Sequence, residues 1–372
     1  MLLTSAKRDR DLGTYAAVMS RRSTKLLKAV LSALHYSGAD SMMAPFTRGI
    51  GAILMLHHVS PEDPGNFEPH RIQKVSPDFL ELAIGQVRAS GFDIVSLDEA
   101  HFRLLEGDRK PFVCFTFDDG YRDNLEYAYP VFKRHELPFA VYVPTNYPDG
   151  HGDLWWLALA RVVVWLDAID VKIDGNTRRL RAGTPTEKDA AFQTVYWWLR
   201  SIEETDARAC VRDLCYGIDF DPRTLCHELM MTWDEIGQLA ADPLVTIGAH
   251  TRGHFALAKL TLAEAHAEIA ESVRRIERET AKPCEHFSYP YGDEASAGMR
   301  EFQLVKEMGL KTGVTTRKGL IHLKHACELT ALPRVSLNGD CQKPRYVKVL
   351  LSGAPFAPFN VVEASSRASP VT

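Results

Sequence analysis

The chain has 372 residues, 45% of them apolar and 25% charged, with a formal net charge of −4. These proportions suit one large globular domain, or one domain carrying an insertion. The negative balance argues against nucleic acid as a partner, and no stretch approaches the ~20 apolar residues that a membrane-spanning helix needs.

The first 28 residues hold seven Lys or Arg against two Asp, and Leu27, Val30, Leu31 and Leu34 then recur at helical spacing. The pattern resembles the basic and apolar regions of a signal peptide, but Lys28 interrupts the apolar stretch and no small-residue cleavage pattern follows. Residues 1–48 are therefore expected to form a basic amphipathic helical segment. It either packs on the domain that follows or lies on an anionic membrane surface. Seven cysteines at 114, 210, 215, 226, 284, 327 and 341 show no paired metal spacing and no dense disulfide framework. They read as reduced thiols, which places the protein in the cytoplasm, peripheral on the inner face of the membrane if the N-terminal segment binds lipid.

An apolar strand over residues 51–56 ends on His57 and His58. Ser76 and Pro77 then open a helix reaching residue 90, and a strand is expected over 92–97. The apolar run 112–117 stops on Asp118, Asp119 and Gly120. A run of this kind reads as a strand buried on both faces, as in parallel sheets. Successive strand residues point to opposite faces, so both carboxylates reach one site only if the chain turns at once, which Gly120 permits. Alternatively, Asp119 caps the helix expected from residue 121. With a further strand over 139–143, the alternation implies parallel strands joined by right-handed crossovers.

The regularity breaks over residues 144–230, expected to be a mostly helical insertion that forms a lid or wall, with a hairpin turning at Asp174-Gly175-Asn176. Within it, the rings of Trp155 and Trp156 either stack on sugar faces or bury the insertion against the domain. Thr232 and Thr261, each followed three residues on by Glu, open two further helices with capping boxes. Between them a strand ends in His250-Thr251-Arg252-Gly253-His254. Strands over 286–289, 311–315 and 332–337 complete the domain, taken as 49–352, and residues 353–372, rich in Ala, Ser and Pro, are expected to be a loose tail.

One carboxylate and two imidazoles at the ends of separate strands make a three-ligand set for a divalent transition metal, with a position left open for water. With Thr116-Phe117-Asp118-Asp119-Gly120, His250-Thr251-Arg252-Gly253-His254 and Phe287-Ser288-Tyr289-Pro290-Tyr291-Gly292 in this order, the chain resembles the polysaccharide deacetylases, the NodB-homology carbohydrate esterases. The resemblance implies a distorted parallel (β/α)7-type barrel, with the insertion between the first and second metal-ligand strands. It implies removal of N-linked acetyl groups from an amino sugar in a glycan or a lipid-linked sugar. O-acetyl esterase action at the same site and a non-catalytic sugar-binding relic are the rival readings. It also implies a divalent metal, zinc first with cobalt or nickel as substitutes, held by Asp119, His250 and His254, with Asp118 as general base.

The third motif departs from the commoner family form, in which an arginine precedes the proline pair. Arg334 is the candidate replacement as partner of the base. The backbone N–H of Tyr291, set by Pro290, is the candidate oxyanion donor. For the proton donor to the leaving amine, His57 is preferred to His322, although Leu320-Ile321-His322 matches the letters of a family Leu-x-His block. His57 is expected to stay protonated beside the carboxylates, with His58 facing away.

Overall fold

The computed structural model describes residues 21–62 and 65–357. Seven parallel strands close into a barrel: β1 (Gly51–Leu56), β2 (Phe112–Phe117), β3 (Phe139–Val143), β4 (Val245–Ala249), β5 (His286–Ser288), β6 (Thr312–Lys318) and β7 (Leu332–Ser336). Closure comes from β1, which pairs with β2 from Gly51↔Phe112 to Leu56↔Phe117 and with β7 at Leu54↔Val335. The ring is uneven. β5 has three residues and meets β4 at one register pair, and the register slips between β6 and β7.

β1, β2 and β3 are buried on both faces, which is why each reads as a continuous apolar run and not as an alternation. One face packs on the surrounding helices, with Phe115, Phe117 and Phe139 meeting Phe132 of the helix that follows β2. The other fills the lower barrel with Ile53, Cys114, Ala140, Tyr142, Val314 and Leu332. Gly248 interrupts β4 because a Cβ there would meet the Tyr142 ring at 2.5 Å. Helix starts follow their caps: Ser76 Oγ accepts from the N–H of Phe79 at 3.1 Å, and Thr232 and Thr261 head complete capping boxes. Each such cap stabilises its helix by about 1 kcal/mol.

Three expectations change. The strand expected over 92–97 is only Asp93–Ile94, an edge pairing beside the foot of β2 and outside the ring. Ser96 ends it by accepting from the N–H of Glu99 and capping the helix Leu97–Glu106. The helix expected from residue 121 instead begins as a π-helical turn, Asn124–Ala128, and continues as Tyr129–Arg134. The tail does not start at 353: Ala354–Phe356 forms a turn, with Phe356 buried in the main core. The remainder of that tail, and the basic residues at 7–10 that suggested a leader, lie outside the described residues. All seven cysteines are free, and no described helix is long and apolar enough to cross a membrane.

The insertion between β3 and β4 builds its own core, from Tyr147 to Met230 with Tyr121 added. It contains the helix Trp155–Trp165, an antiparallel hairpin Ala168–Ile173 and Asn176–Arg181, and the helices Pro185–Ser201 and Glu204–Tyr216.

Candidate metal centre

Parallel strands deliver their carboxyl ends to one rim, and β2 and β4 bring the candidate ligands there. At the end of β2 the ladder continues to Asp118, whose N–H donates to the Leu56 carbonyl at 3.0 Å. The turn then begins one residue earlier than glycine preferences alone suggest. Asp119 itself lies in the left-handed region at φ 74°, followed by Gly120 at φ 72°. This conformation is uncommon for a residue with a Cβ, and here it swings Asp119 to the side of the barrel where the histidines stand.

At the end of β4, Thr251 and His254 also have positive φ, 61° and 56°. The loop is held from three directions. Thr251 Oγ1 accepts from the His254 N–H at 2.9 Å. The buried Glu268 carboxylate accepts from the N–H groups of Arg252 and Gly253 at 3.0 and 2.8 Å. From the insertion, the buried Arg208 donates to the carbonyls of Gly253 and His254 at 2.9 and 3.1 Å. The backbone polar groups of this strained loop are therefore paired by side chains.

Asp119, His250 and His254 are all buried, and one ligand atom from each lies within 4.8 Å of the others. Asp119 Oδ1 stands 3.5 Å from His250 Nε2 and 3.3 Å from His254 Nε2, yet neither contact has hydrogen-bond geometry, leaving that oxygen without a partner. His250 Nδ1 donates to the Ser288 carbonyl at 2.7 Å, which fixes the tautomer and leaves Nε2 free to ligate. A buried oxygen with no partner facing two imidazole nitrogens fits a shared cation, and one O with two N donors suits zinc, cobalt or nickel. Burial pushes Asp119 up, but the facing imidazoles of His250 and His254 outweigh it and hold the carboxyl well below its usual range. Burial pushes His254 down, so the ring is neutral and ready to ligate.

Asp118 stands beside this cluster and is gripped by Arg334. The guanidinium rises inside the barrel from β7, fixed by Nε donating to the Thr315 carbonyl at 2.8 Å. Nη1 and Nη2 reach Asp118 Oδ1 and Oδ2 at 2.8 and 2.6 Å, and Nη2 also donates to Ser288 Oγ at 3.1 Å. Burial would raise the Asp118 carboxyl, but Arg334 first, then His250 and His57, hold it below its usual value.

His57 follows β1 at the same rim, half-buried, with both carboxylates acting on its charge. Burial outweighs them and pushes its pKa down, so the ring rests neutral and not protonated as expected from the carboxylates alone. Its carbonyl is held by Asn124 Nδ2 at 2.7 Å. His58 pairs instead with Asp123, Nδ1 donating to Oδ2 at 2.7 Å, and lies against the Tyr121 ring at 3.6 Å. His322 is at the other end of the barrel. Ile321 bridges Gly51 at the foot of β1, and the His322 N–H donates to His325 Nδ1 at 2.9 Å. Six strand residues separate that foot from the rim, roughly 20 Å.

Trp155 and Trp156 are 3% and 5% exposed and so present no open stacking face. This corrects the wall reading for both. Trp155 Nε1 donates to the Tyr291 hydroxyl at 2.9 Å, and the Trp156 ring packs on His254 at 4.9 Å, so they back the ligand because the insertion core absorbs them. Tyr291 has φ 60°, with its ring under Arg200 at 3.6 Å and edge-on to His254 at 4.9 Å. Its N–H has no hydrogen-bond partner among the described residues.

Sequence reasoning missed Tyr121, Arg208 and Glu268. Tyr121, directly after the Asp-Asp-Gly turn, is buried with an unpartnered hydroxyl, and its position next to the motif was the available signal. Arg208 and Glu268 sit on separate helices and carry no local signature.

Residues 106–313 match the family model described as polysaccharide deacetylase. The deacetylase PplD of Streptococcus pyogenes, in complex with acetate, aligns at TM-score 0.50 and 16% identity over 80% of this chain and 95% of that one. IcaB from Ammonifex degensii aligns at TM-score 0.50 and 16% identity over 82% and 98%. At such identity the likeness to these two is one of fold. No curated protein matches the chain.

Proposed function

Because the chain belongs to the polysaccharide deacetylase family, we propose that it hydrolyses the N-acetyl group of an amino sugar in a glycan or glycolipid, with a divalent transition metal, zinc first, held by Asp119, His250 and His254. The observation that carries this reading is the pairing of the buried three-ligand cluster with an adjacent ionised carboxylate, Asp118, locked by Arg334. When bound, such an ion supplies an acidified water for attack and a Lewis acid for the carbonyl oxygen.

The chain's own residues divide the remaining work. Asp118 is kept ionised by Arg334, and each of its oxygens retains a lone pair not used by the guanidinium, so it can take a proton from water. His250 is presented through Nε2 because Ser288 occupies its other nitrogen. The free N–H of Tyr291 is the oxyanion donor, a contribution of about 3 kcal/mol in comparable sites. His57 protonates the departing amine. Since its ring rests neutral, it must first acquire a proton during the cycle.

The test is release of free amine and acetate from N-acetylglucosamine oligomers and lipid-linked N-acetylhexosamines by the zinc-loaded protein, beside O-acetylated sugars. Amine release that disappears in Asp118→Asn is the expected result. Turnover of esters alone would replace amide hydrolysis by esterase action, and turnover of neither, with metal bound, would mean a non-catalytic sugar-binding protein.

A further inference from the structure

Residues 21–48 form two helices, Arg21–Tyr36 and Ala39–Thr47, turned at Gly38 with φ 74°. The pair is docked on the body. Leu31 is buried and Leu34 half-buried against Cys341, Tyr346 and Val349. Thr24 Oγ1 donates to Asp340 Oδ2 at 3.3 Å, and Thr47 Oγ1 to the Ser352 carbonyl at 2.7 Å. That contact uses only part of the apolar surface. At 100° per residue, Leu26 and Val30 form a row beside the Leu31 face and outside it. Leu26 is 65% exposed, and on the second helix Met42 and Phe46, one turn apart, are 73% and 88% exposed. Leu27, Val30 and Tyr36 are exposed as well.

Charge on this segment is one-sided although the chain as a whole is acidic. Residues 21–48 include Arg21, Arg22, Lys25 and Lys28, with Arg48 turned onto the body over the Phe92 ring and donating to the Ser90 carbonyl, against one acid, Asp40. Asp40 is fully buried, 3.7 Å from His35 and 3.6 Å from Lys348, so the segment exposes no carboxylate.

We propose that this helix pair is a docking surface for an anionic lipid bilayer. Leu26, Val30, Met42 and Phe46 enter the boundary between headgroups and acyl chains, while Lys25, exposed one residue before Leu26, meets the lipid phosphates. A protein partner is less well matched, because lysine is depleted at protein interfaces. A second copy of the chain would bring together two faces that both lack an exposed carboxylate to pair their cations. The inference rests on the helix pair alone and is independent of the reading of the metal centre.

The experiment is co-sedimentation of the full chain with vesicles of phosphatidylcholine alone and of phosphatidylcholine mixed with phosphatidylglycerol, with the oligomeric state followed by analytical ultracentrifugation. The protein should bind the mixed vesicles, bind pure phosphatidylcholine far more weakly, and dissociate as salt rises. Lys25→Gln should reduce partitioning about fivefold. Met42→Ser with Phe46→Ser should abolish binding while leaving the melting temperature unchanged, since both side chains are in solvent. Equal binding to both vesicle types, binding to neither, or variants that bind like the parent would overturn the proposal. So would a parent dimer that the Met42 and Phe46 changes convert to monomer.

Discussion

Arg334 and Asp118 form a buried two-point ion pair: the guanidinium enters from β7, the carboxylate from the end of β2, and they meet at 2.8 and 2.6 Å. Such a pair is costly to separate, because removing one partner leaves a buried charge uncompensated. It also decides a protonation state. With Arg334 in place, the Asp118 carboxyl is held below its ordinary range, so it is ionised at neutral pH.

Replacing Arg334 therefore has two readouts. Arg334→Met should destabilise the fold by about 3–5 kcal/mol in chemical denaturation. Arg334→Lys retains a charge but loses the fork, so Asp118 should titrate higher. The folded pKa of Asp118 is depressed. Its contribution to stability is thus present above the ordinary carboxylate value and lost as pH falls through the folded value. The acid limb of kcat/KM should accordingly move to higher pH in Arg334→Lys. An unmoved limb with unchanged stability would remove Arg334 from this role.

Ligand and base should separate by metal analysis. Asp118→Asn is expected to keep the ion and lose nearly all turnover, whereas Asp119→Ala and His254→Ala should lose the ion as well. The opposite pattern, an empty Asp118→Asn and a loaded Asp119→Ala, would exchange the two assignments.

The two candidate proton donors lie at opposite ends of β1, so they should differ sharply. His57→Ala should lower kcat by roughly 10²–10⁴ with metal content intact. His322→Ala, at the foot of the barrel beside Gly49 and Gly51, should leave kcat within twofold or so, because no proton can pass directly over roughly 20 Å. A kinetic defect confined to His322→Ala would return the donor to the last strand.

The insertion should be felt through the metal more than through the substrate. Arg208 holds the His254 carbonyl and Trp156 packs on its ring, so Arg208→Ala or Trp156→Ala should weaken metal affinity roughly 10–100-fold in competition with a chromophoric chelator. If affinity were unchanged and only KM for long substrates rose, the indole would be acting on sugar after all.

Much of this site is legible in the chain because strand ends announce themselves. β1 to β4 carry no charged residue within them, so the ionisable groups stand where these strands stop, and in a parallel barrel all such stops share one rim. That is why Asp118, Asp119, His250 and His57 stand out without any knowledge of their neighbours. Arg334 was reachable only through the family resemblance, as the replacement for the arginine that the third motif lacks, and its grip on Asp118 depends on β1 pairing with both β2 and β7. The edge pairing of Asp93–Ile94 shows the reverse error: six residues with strand-like character were cut short by one cap at Ser96, a local bond that overrode propensity.

Unbroken apolar runs alternating with helical stretches were enough to read parallel strands, their ends and the ligand types in the chain, while the closed barrel came with the resemblance carried by the three motifs. Three matters were decided only by tertiary structure. The left-handed backbone of Thr251 and His254 persists because Glu268 and Arg208 supply hydrogen bonds to that loop that no local preference encodes. Trp155 and Trp156 became supports for His254 and Tyr291, and not a sugar platform, because the insertion closed a core around them. His57 rests neutral because desolvation by the assembled barrel exceeds the attraction of two carboxylates, a balance of opposing energies that exists only once the elements have packed.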